Sequence, residues 1–338
     1  MITIAINGFG RIGRRVFRLA LNHPQIKVVA INDLADAKTL SHLLKYDSIH
    51  GVLNKKISCD DNHIIVNDIS IPLYNENHPK LLNWSKVKPD YVIESTGKFK
   101  TKPELQHHIT NGAKRVILSV PAIEDDIKTI VLGVNENTLD GSETILSNAS
   151  CTTNNAAPMI SLIKENFGIK QAYITTIHSY TTDQSLHDQP HRDLRRARAA
   201  GQSIVPTTTG AAKALTKIFP DLSDVIGGCG IRVPVANGSL TDITINVEKP
   251  TSISEVNAIF ENAAKNEFKG ILEYTEDPIV SIDIVGNPHS CIIDSLMTSV
   301  IGNMVKIVGW YDNETGYSSR ILDLICYLSD KRALLSNK

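Results

Sequence analysis

The sequence predicts an α/β fold with a mostly parallel, doubly wound sheet in its N-terminal half and an α+β C-terminal half with a mixed or antiparallel sheet. The chain opens with a buried-strand pattern that runs into a Gly-rich turn and an amphipathic helix. Strand and helix patterns then alternate through the first half. In the second half, a run of strands is interrupted by a single helix. These rhythms are typical of those two architectures.

The composition of the 338-residue chain limits the class of protein. Hydrophobic residues make up 42% and charged residues 21%, as in ordinary globular proteins. The formal net charge of -1 argues against a general nucleic-acid binder, because such proteins carry a basic excess. No apolar run approaches the ~20 residues of a membrane span, and the N-terminus opens directly into a strand. We therefore expect no membrane segment and no secretory leader.

The cysteines and histidines do not predict a metal site. The cysteines are odd in number and without CxxC pairs, which is typical of a reducing, cytoplasmic compartment. They are Cys59, Cys151, Cys229, Cys291 and Cys326. The pairs Cys59/His63 and His107/His108 have no further ligands nearby in the sequence, and we interpret them as surface residues.

The Gly-rich turn after the first strand is Gly8-Phe9-Gly10-Arg11-Ile12-Gly13. It matches G-x-G-x-x-G in the required context of strand, turn and helix. Gly8 allows the tight turn, Gly10 admits a pyrophosphate, and Gly13 lets the helix lie close to the strand. The motif therefore predicts a Rossmann dinucleotide-binding domain.

Asp33 strengthens that prediction. It follows the strand pattern Ile26–Ile31 and lies about 20 residues after Gly13, where a carboxylate accepts hydrogen bonds from an adenosine ribose. Further strands are predicted at Ile64–Val66, Ile69–Leu73, Tyr91–Glu94, Val116–Ser119 and Ile130–Leu132, with helices near Ala37–Tyr46 and Pro103–Asn111. Ser95-Thr96-Gly97 and Ser119 follow two of these strands, so we expect them to line the nicotinamide side of the site.

Cys151 lies in Ser147-Asn148-Ala149-Ser150-Cys151-Thr152-Thr153-Asn154, between a short strand pattern and a helical pattern that ends at Phe167. Free N–H groups and the helix dipole favour a negative charge at a helix start. We therefore expect Cys151 to be a nucleophile with a lowered thiol pKa. His178 ends the strand pattern Ala172–Ile177, and this geometry can return its imidazole to the thiol.

A basic loop and a helix start follow His178. The stretch from Asp183 to Gln202 contains four arginines, which suit phosphates, and Thr207-Thr208-Thr209-Gly210 precedes a helix whose N–H groups can cradle an anion. Further strands are predicted at Gly228–Val233, Leu240–Val247, Ile279–Val285, Cys291–Ser295 and Met304–Tyr311, with one helix near Ile253–Asn266. Arg232 lies on the first of these strands.

The motif around Cys151 resembles the catalytic signature of phosphorylating glyceraldehyde-3-phosphate dehydrogenases of the bacterial, NAD-dependent type. The turn at Gly8–Gly13, Asn32-Asp33, Asp193–Arg198, Thr209–Lys213 and Trp310–Glu314 also resemble that family, in order and over essentially the whole chain. The resemblance implies a NAD-binding domain of residues 1–149 completed by a C-terminal helix of 315–338. It also implies a catalytic domain of residues 150–314.

The resemblance also implies roles for the matching residues. Cys151 is the expected nucleophile and His178 its base. Arg11, Ile12, Asp33, Ser119, Asn313 and Tyr317 are expected at NAD, beside Gly8, Gly10 and Gly13. The inorganic-phosphate site is expected to contain Ser150, Thr152, Arg196, Thr209 and Gly210. Thr181 and Arg232 are expected to hold the phosphate of the substrate. The implied assembly is a cytoplasmic homotetramer without metal.

The implied reaction is oxidation of glyceraldehyde 3-phosphate with NAD and inorganic phosphate through a cysteine thioester. Erythrose-4-phosphate dehydrogenase remains an alternative, because it shares the nucleophile, base and cofactor fold. A redox sensor or nucleic-acid binder with an idle site is a second alternative. Asn77 and Gln189 depart from the pattern of many members near the cofactor, and Asn155 and Ala156 depart from it after the signature.

Overall fold

The computed structural model describes residues 1–336, with side-chain surroundings through Arg332. The chain divides into two compact units. The first contains Met1–Ile130, Glu136–Ala149 and the described residues from Ser318 on, and the second contains Val131–Asn135 and Ser150–Tyr317.

The first unit contains a sheet of eight strands in the order β10-β9-β8-β1-β2-β7-β6-β5. The strands of this unit, including two outside that sheet, are β1 (Ile2–Asn7), β2 (Ile26–Asn32), β3 (Tyr46–Asp47), β4 (Gly51–Val52), β5 (Ile57–Asp60), β6 (His63–Val66), β7 (Ile69–Tyr74), β8 (Tyr91–Glu94), β9 (Arg115–Leu118) and β10 (Ile145–Ser147). Its helices are α1 (Arg11–Ala20), α2 (Ala37–Lys45) and α3 (Lys102–Thr110). Strands β3 and β4 form a separate hairpin.

The centre of this sheet is parallel, as the sequence predicts. Strand β1 pairs in parallel with β2 on one side and with β8 on the other, and only β5, β6 and β7 pair antiparallel. Ile4, Ile6 and Ile93 are fully buried, as expected for strands covered on both faces. The predicted strand Ile130–Leu132 is wrong, because only an isolated bridge from Thr129 to Ser147 forms there and the chain then turns.

The second unit contains a mixed sheet in the order β12-β13-β11-β14-β18-β16-β15, with β17 paired to β18. Its strands are β11 (Gln171–Ser179), β12 (Val205–Thr207), β13 (Ile226–Val233), β14 (Ser239–Asn246), β15 (Leu272–Thr275), β16 (Cys291–Asp294), β17 (Ser299–Ile301) and β18 (Met304–Tyr311). Its helices are α4 (Cys151–Phe167), α5 (Ala211–Ile218) and α6 (Ile253–Lys265). These two sheets confirm the predicted fold class.

Sequence patterns misplace one strand of this sheet. The predicted strand Ile279–Val285 is a run of turns in which Val280 is 55% and Ile282 72% exposed, so its alternating apolar residues do not form a buried face. The edge strand beyond β16 is instead β15, which carries the polar residues Glu273 and Thr275.

The last helix is α7 (Thr315–Ser336). The sequence predicts this helix over 315–338, and residues 337 and 338 lie outside the described part of the chain. Among the described residues, no helix is both long and apolar enough to cross a membrane.

Candidate active site

Cys151 is the first residue of α4. Ser150 caps this helix: its Oγ accepts the N–H of Thr153 at 3.1 Å and lies 2.8 Å from Thr153 Oγ1. The preceding residue, Ala149, has a positive φ of 56°, a backbone conformation that L side chains rarely adopt. This backbone turn at Ala149 places Cys151 at the start of the helix, where the sequence predicted it.

Strand β11 brings His178 to the thiol. Nε2 of His178 lies 3.5 Å from Sγ of Cys151, and the imidazole is 6% exposed. Nδ1 lies 2.7 Å from the carbonyl oxygen of Ser179. The pair therefore has the geometry of a nucleophile beside its proton acceptor.

The pKa values of this pair differ from the expectation. Burial raises the pKa of the Cys151 thiol, whereas the charge of Arg232 and the hydroxyl and N–H of Thr152 act in the opposite direction. Burial and then the Arg232 charge lower the pKa of His178 to about 3. The expectation of a lowered thiol pKa from the helix start alone is wrong here, because desolvation in the folded unit outweighs it.

Two further residues contact the pair. Nη1 of Arg232 lies 2.7 Å from Nδ1 of His178 and 3.0 Å from the Ser179 carbonyl oxygen. The Tyr311 ring packs edge-on to the imidazole, with ring centroids 5.9 Å apart, and its hydroxyl lies 2.9 Å from Thr152 Oγ1. This position of Tyr311 could not be predicted from the sequence, because an aromatic residue on a strand carries no local signal that it faces a catalytic histidine.

Arg196 is the arginine of the long loop that has the most polar contacts. Its guanidinium pairs with Asp183 and donates to Thr207 Oγ1 at 3.0 Å and to the Thr208 carbonyl at 3.2 Å. The loop is therefore held beside the segment that leads into α5.

The remaining residues expected at phosphates lie on loops or helix starts of the second unit. Gly210 caps α5, and Thr209 Oγ1 accepts the N–H of Ala211 at 3.2 Å. Thr181 follows β11 and is half-buried.

The first unit contains a cavity at the Gly-rich turn. It is lined by Gly8, Gly10, Asp33, Thr96 and other residues of the same unit. Asp33 directly follows β2 and is held in a fixed position, since Oδ2 accepts the N–H of Phe9 at 2.7 Å and Oδ1 that of Ala35 at 3.1 Å.

The glycines of this turn have the predicted roles in packing. Gly8 has a φ of 94°, and a Cβ there would lie 2.7 Å from the Thr96 nitrogen. A Cβ on Gly13 would collide with the Gly8 carbonyl oxygen, so α1 lies directly against the turn. Gly10 faces open space. Ile12, on the first turn of α1, is half-buried.

Arg11 and Ser119 are the other expected cofactor residues of this unit. The side chain of Arg11 is paired with Asp47. Ser119 follows β9, is 8% exposed, and donates its N–H to the Glu94 carbonyl at 3.0 Å.

Asn313 and Tyr317, also expected at NAD, lie in the second unit and are buried. Oδ1 of Asn313 accepts hydrogen bonds from Ser179 Oγ and Ser239 Oγ, both at 2.9 Å, and from the Gly238 N–H at 3.2 Å. Three donors thus fix which end of the amide is oxygen, and its NH2 end faces elsewhere.

His108 is not a surface residue, contrary to the sequence interpretation. It is fully buried in the first unit, accepts the indole N–H of Trp84 on Nδ1 at 3.0 Å, and places Nε2 3.1 Å from Oε2 of Glu94. The described residues contain no group of three or more His, Cys, Asp or Glu side chains that could hold a metal ion.

Comparison with known proteins identifies the family. Residues 2–102 match the family profile described as the NAD binding domain of glyceraldehyde 3-phosphate dehydrogenase, and residues 150–313 match its C-terminal domain. Glyceraldehyde-3-phosphate dehydrogenase 1 of Bacillus cereus is 51% identical over 333 residues, 98% of this chain and 99% of the relative.

Two more relatives match the chain to a similar extent. The glyceraldehyde-3-phosphate dehydrogenase of Geobacillus stearothermophilus is 51% identical, over 98% of this chain and 99% of its own length. That of Borreliella burgdorferi is 52% identical, over 95% of this chain and 98% of its own. With half of its residues shared along nearly its full length, the chain belongs to the glyceraldehyde-3-phosphate dehydrogenase family.

Proposed function

We propose that this chain oxidises D-glyceraldehyde 3-phosphate to 1,3-bisphosphoglycerate with NAD and inorganic phosphate. The observation that carries the proposal is the 3.5 Å approach of His178 Nε2 to the thiol of Cys151 at the start of α4. The match to the family along nearly the whole chain gives the substrate.

The reaction begins on Cys151. Its sulfur adds to the aldehyde carbon while His178 accepts the thiol proton and then passes it to the aldehyde oxygen, which gives a thiohemiacetal and a neutral His178. The backbone N–H groups of Cys151 and Thr152 act to lower the pKa of the thiol, and we assign to them the stabilisation of the oxyanion formed next to the sulfur. A neutral His178 is the form that can accept a proton, and its low pKa keeps it neutral at physiological pH.

The second half of the reaction releases the acyl group. NAD, when bound, supplies the two-electron acceptor that turns the thiohemiacetal into a thioester. His178 removes the hydroxyl proton in that step. An oxygen of inorganic phosphate then attacks the thioester carbon and the C–S bond breaks. The acyl phosphate is released as the product, and the thiolate remains on Cys151.

The residues of the first unit fit NAD. A side chain at Gly8 would fill the space against Thr96, Gly10 faces open space, and the Asp33 carboxylate is held at the strand end. We assign the pyrophosphate to the turn from Gly8 to Gly13 and to the backbone N–H groups of Arg11 and Ile12. We assign the ribose to Asp33.

The nicotinamide end is assigned to Ser119, Asn313 and Tyr317. The three hydrogen bonds to Asn313 Oδ1 support this assignment, because they leave the amide NH2 to donate to a carboxamide. We also propose that residues 1–149 with the last helix form the cofactor domain and residues 150–314 the catalytic domain.

The two phosphates are assigned to separate sets of side chains. Inorganic phosphate is assigned to Ser150, Thr152, Arg196, Thr209 and Gly210, and the phosphate of the substrate to Thr181 and Arg232. The start of α5 at Gly210 and the guanidinium groups of Arg196 and Arg232 support an anion-binding role.

We further propose a cytoplasmic homotetramer. All five cysteines are free thiols, the form that a reducing compartment maintains. Tyr173, Ile301 and Met304 line one surface depression of the second unit and are 52%, 67% and 45% exposed, which suits burial against another copy of the chain.

The test is phosphate-dependent NADH formation with glyceraldehyde 3-phosphate, followed by absorbance. We expect turnover, and a higher kcat/KM for this aldehyde than for erythrose 4-phosphate. The Cys151→Ala variant should lose at least about 10⁴-fold in kcat, and Cys229→Ala, a matched control on β13, should keep wild-type turnover. Turnover that needs no phosphate, or that survives in Cys151→Ala, would contradict the proposal.

A further inference from the structure

Two atoms compete for one ring nitrogen of His178. Nδ1 of His178 lies 2.7 Å from the Ser179 carbonyl oxygen and 2.7 Å from Nη1 of Arg232, and Nη1 lies 3.0 Å from the same oxygen. All three distances are within hydrogen-bonding range.

A neutral imidazole cannot satisfy both neighbours. A guanidinium has only donors, so a hydrogen bond with Arg232 requires Nδ1 to be the acceptor. A carbonyl oxygen is only an acceptor, so a hydrogen bond with Ser179 requires Nδ1 to be the donor. One ring nitrogen either carries the proton or it does not. Each tautomer of His178 therefore makes one of these two contacts and opposes the other.

The two tautomers differ in whether Nε2, the ring nitrogen that faces Cys151, carries a proton. If Arg232 donates to Nδ1, the ring proton is on Nε2 and points towards Sγ of Cys151, 3.5 Å away. The imidazole then cannot accept the thiol proton. If Nδ1–H donates to Ser179, the lone pair of Nε2 faces the sulfur, and the imidazole is a base.

The doubly protonated ring is excluded while Arg232 is in place. The charged or titratable side chains that face the imidazole are Cys151 from α4, Arg232 from β13, Tyr311 from β18 and, at longer range, Arg196 from the loop. Burial lowers the pKa of His178, and the charges of Arg232 and Arg196 lower it further. The choice is therefore between the two neutral tautomers.

We propose that Arg232 sets the tautomer of His178, and that a phosphate monoester bound to Arg232 withdraws the guanidinium from Nδ1 and converts His178 to the base tautomer. This rests on the proposed function, since it assigns the substrate's phosphate to Arg232. The phosphate then contributes to kcat as well as to KM, because the base becomes available only when the phosphorylated substrate is bound.

The kinetic test uses an aldehyde without the phosphate. In the wild type, unphosphorylated D-glyceraldehyde leaves Arg232 on Nδ1, so the base stays blocked. Arg232→Met removes the donor, and we expect the single-turnover rate of NADH formation from this aldehyde to rise at least about tenfold, part of the 10²–10⁴ that a positioned base contributes. A residue that only binds the substrate's phosphate predicts no gain.

Arg198→Met is the matched control. Arg198 lies in the same long loop, pairs with Asp188 and is assigned to neither phosphate, so this variant should show no gain with unphosphorylated aldehyde. A gain in Arg232→Met alone supports the proposal. An unchanged or lower rate in Arg232→Met, or an equal gain in both variants, would overturn it.

The spectroscopic test needs neither turnover nor a variant. In 15N NMR spectra of the holoenzyme with 15N-labelled histidine, a protonated ring nitrogen gives a pyrrole-type shift and an unprotonated one a pyridine-type shift. We expect Nδ1 of His178 to be pyridine-type in the enzyme alone. It should become pyrrole-type with glycerol 3-phosphate, which carries the phosphate monoester without an aldehyde, and glycerol should have no effect.

A spectrum that does not change while glycerol 3-phosphate binds, as measured by calorimetry, would overturn the inference. The same holds if Nδ1 already carries the proton in the enzyme alone. Neither result depends on the reaction. Failure of the proposed function would instead appear as a wild-type enzyme that forms no NADH from glyceraldehyde 3-phosphate.

Discussion

Arg11 and Asp47 form a two-point ion pair, with Nη1 2.7 Å from Oδ2 and Nη2 3.1 Å from Oδ1. Arg11 starts α1 directly after the Gly-rich turn, and Asp47 ends the short strand β3. The Asp47 side chain is only 5% exposed, and it also accepts the N–H groups of Ile49 and His50. The side chain of Arg11 thus ties the dinucleotide turn to the end of strand β3.

Asp47→Asn should destabilise the first unit. Burial raises the pKa of Asp47, but the Arg11 hydrogen bond and the backbone N–H groups of His50 and Ile49 outweigh it and hold the pKa well below its usual range. Losing this charged hydrogen bond should lower the free energy of unfolding in urea by about 1–3 kcal/mol at neutral pH.

The effect of Asp47→Asn should fade in acid. A lowered carboxyl pKa stabilises the folded state above the unfolded value of about 3.9, and this stabilisation is lost as the pH falls through the folded pKa. Asp68→Asn is the control, because its partner Lys56 and Asp68 itself are both exposed and such pairs contribute about 0–1 kcal/mol. Equal losses of unfolding free energy in Asp47→Asn and Asp68→Asn would show that the Arg11–Asp47 pair stabilises the fold no more than an exposed ion pair does.

Local signals predicted the centre of the site. The spacing of the glycines, the strand that ends just before Asp33 and the polar helix start at Cys151 each depend on a few neighbouring residues. The helix and strand between Cys151 and His178 then return the imidazole to the thiol. These features follow from short-range geometry, which a sequence records directly.

Tertiary burial is what the sequence did not show. The pKa of Cys151 is raised because other elements remove water from the thiol, and no neighbour in the sequence reports that. His108 was interpreted as a surface residue because no further ligands stand near it in the sequence, yet it is fully buried. The apolar run Ile279–Val285 lies in exposed turns, because apolar alternation alone does not establish a pairing partner.

His178→Asn should slow hydride transfer by about 10²–10⁴-fold, the usual contribution of a positioned base. It should also change the acid stability. Because the pKa of His178 is lowered to about 3, the unfolded chain binds a proton that the folded chain does not, between about pH 6.5 and that value. Wild-type stability should therefore fall as the pH drops through this window.

The variant should lose less stability than the wild type over the same window. The measurement is the midpoint of urea unfolding at about pH 7 and about pH 5 for both proteins, since all other titrating groups are common to them. Parallel declines in the two proteins would show that His178 does not carry the expected lowered pKa.

Glu94 should position the dinucleotide turn from the interior. It is fully buried; Oε2 accepts from Asn7 Nδ2 at 2.5 Å and faces His108, and Oε1 accepts the Thr96 N–H at 3.0 Å. Asn7 directly precedes Gly8, and Thr96 packs against Gly8. Glu94→Gln places an NH2 group among donors, so we expect the Kd for NAD to rise about tenfold and the free energy of unfolding to fall by about 1–3 kcal/mol.

Calorimetric titration with NAD checks the Glu94 prediction. Glu267→Gln is the matched control, because Glu267 is exposed at the end of the α6 region in the other unit. If Glu94→Gln unfolds more easily but binds NAD as tightly as the control, Glu94 supports the fold without positioning the turn.

Asp33 should set the preference for NAD over NADP. Its carboxylate is fixed by the N–H groups of Phe9 and Ala35, and it lines the same cavity as Gly8 and Gly10. A ribose 2′-hydroxyl can donate to this carboxylate. A 2′-phosphate has no such donor and brings negative charge against negative charge. Charge-assisted hydrogen bonds contribute about 1.5–3 kcal/mol each, so kcat/KM should favour NAD by at least about tenfold.

Two residues that line the cavity with Asp33 determine how strong the preference for NAD over NADP is. Asn77 and Lys98 line the cavity with Asp33, and both carry donors that a 2′-phosphate could use. We therefore expect Asp33→Gly to bring the kcat/KM values for NAD and NADP closer together, mainly by weakening NAD binding. The double variant Asp33→Gly/Lys98→Met should lose kcat/KM with NADP as well. Steady-state kcat/KM with both cofactors measures this. Equal values for NAD and NADP in the unmutated enzyme would mean that the Asp33 carboxylate does not face the ribose.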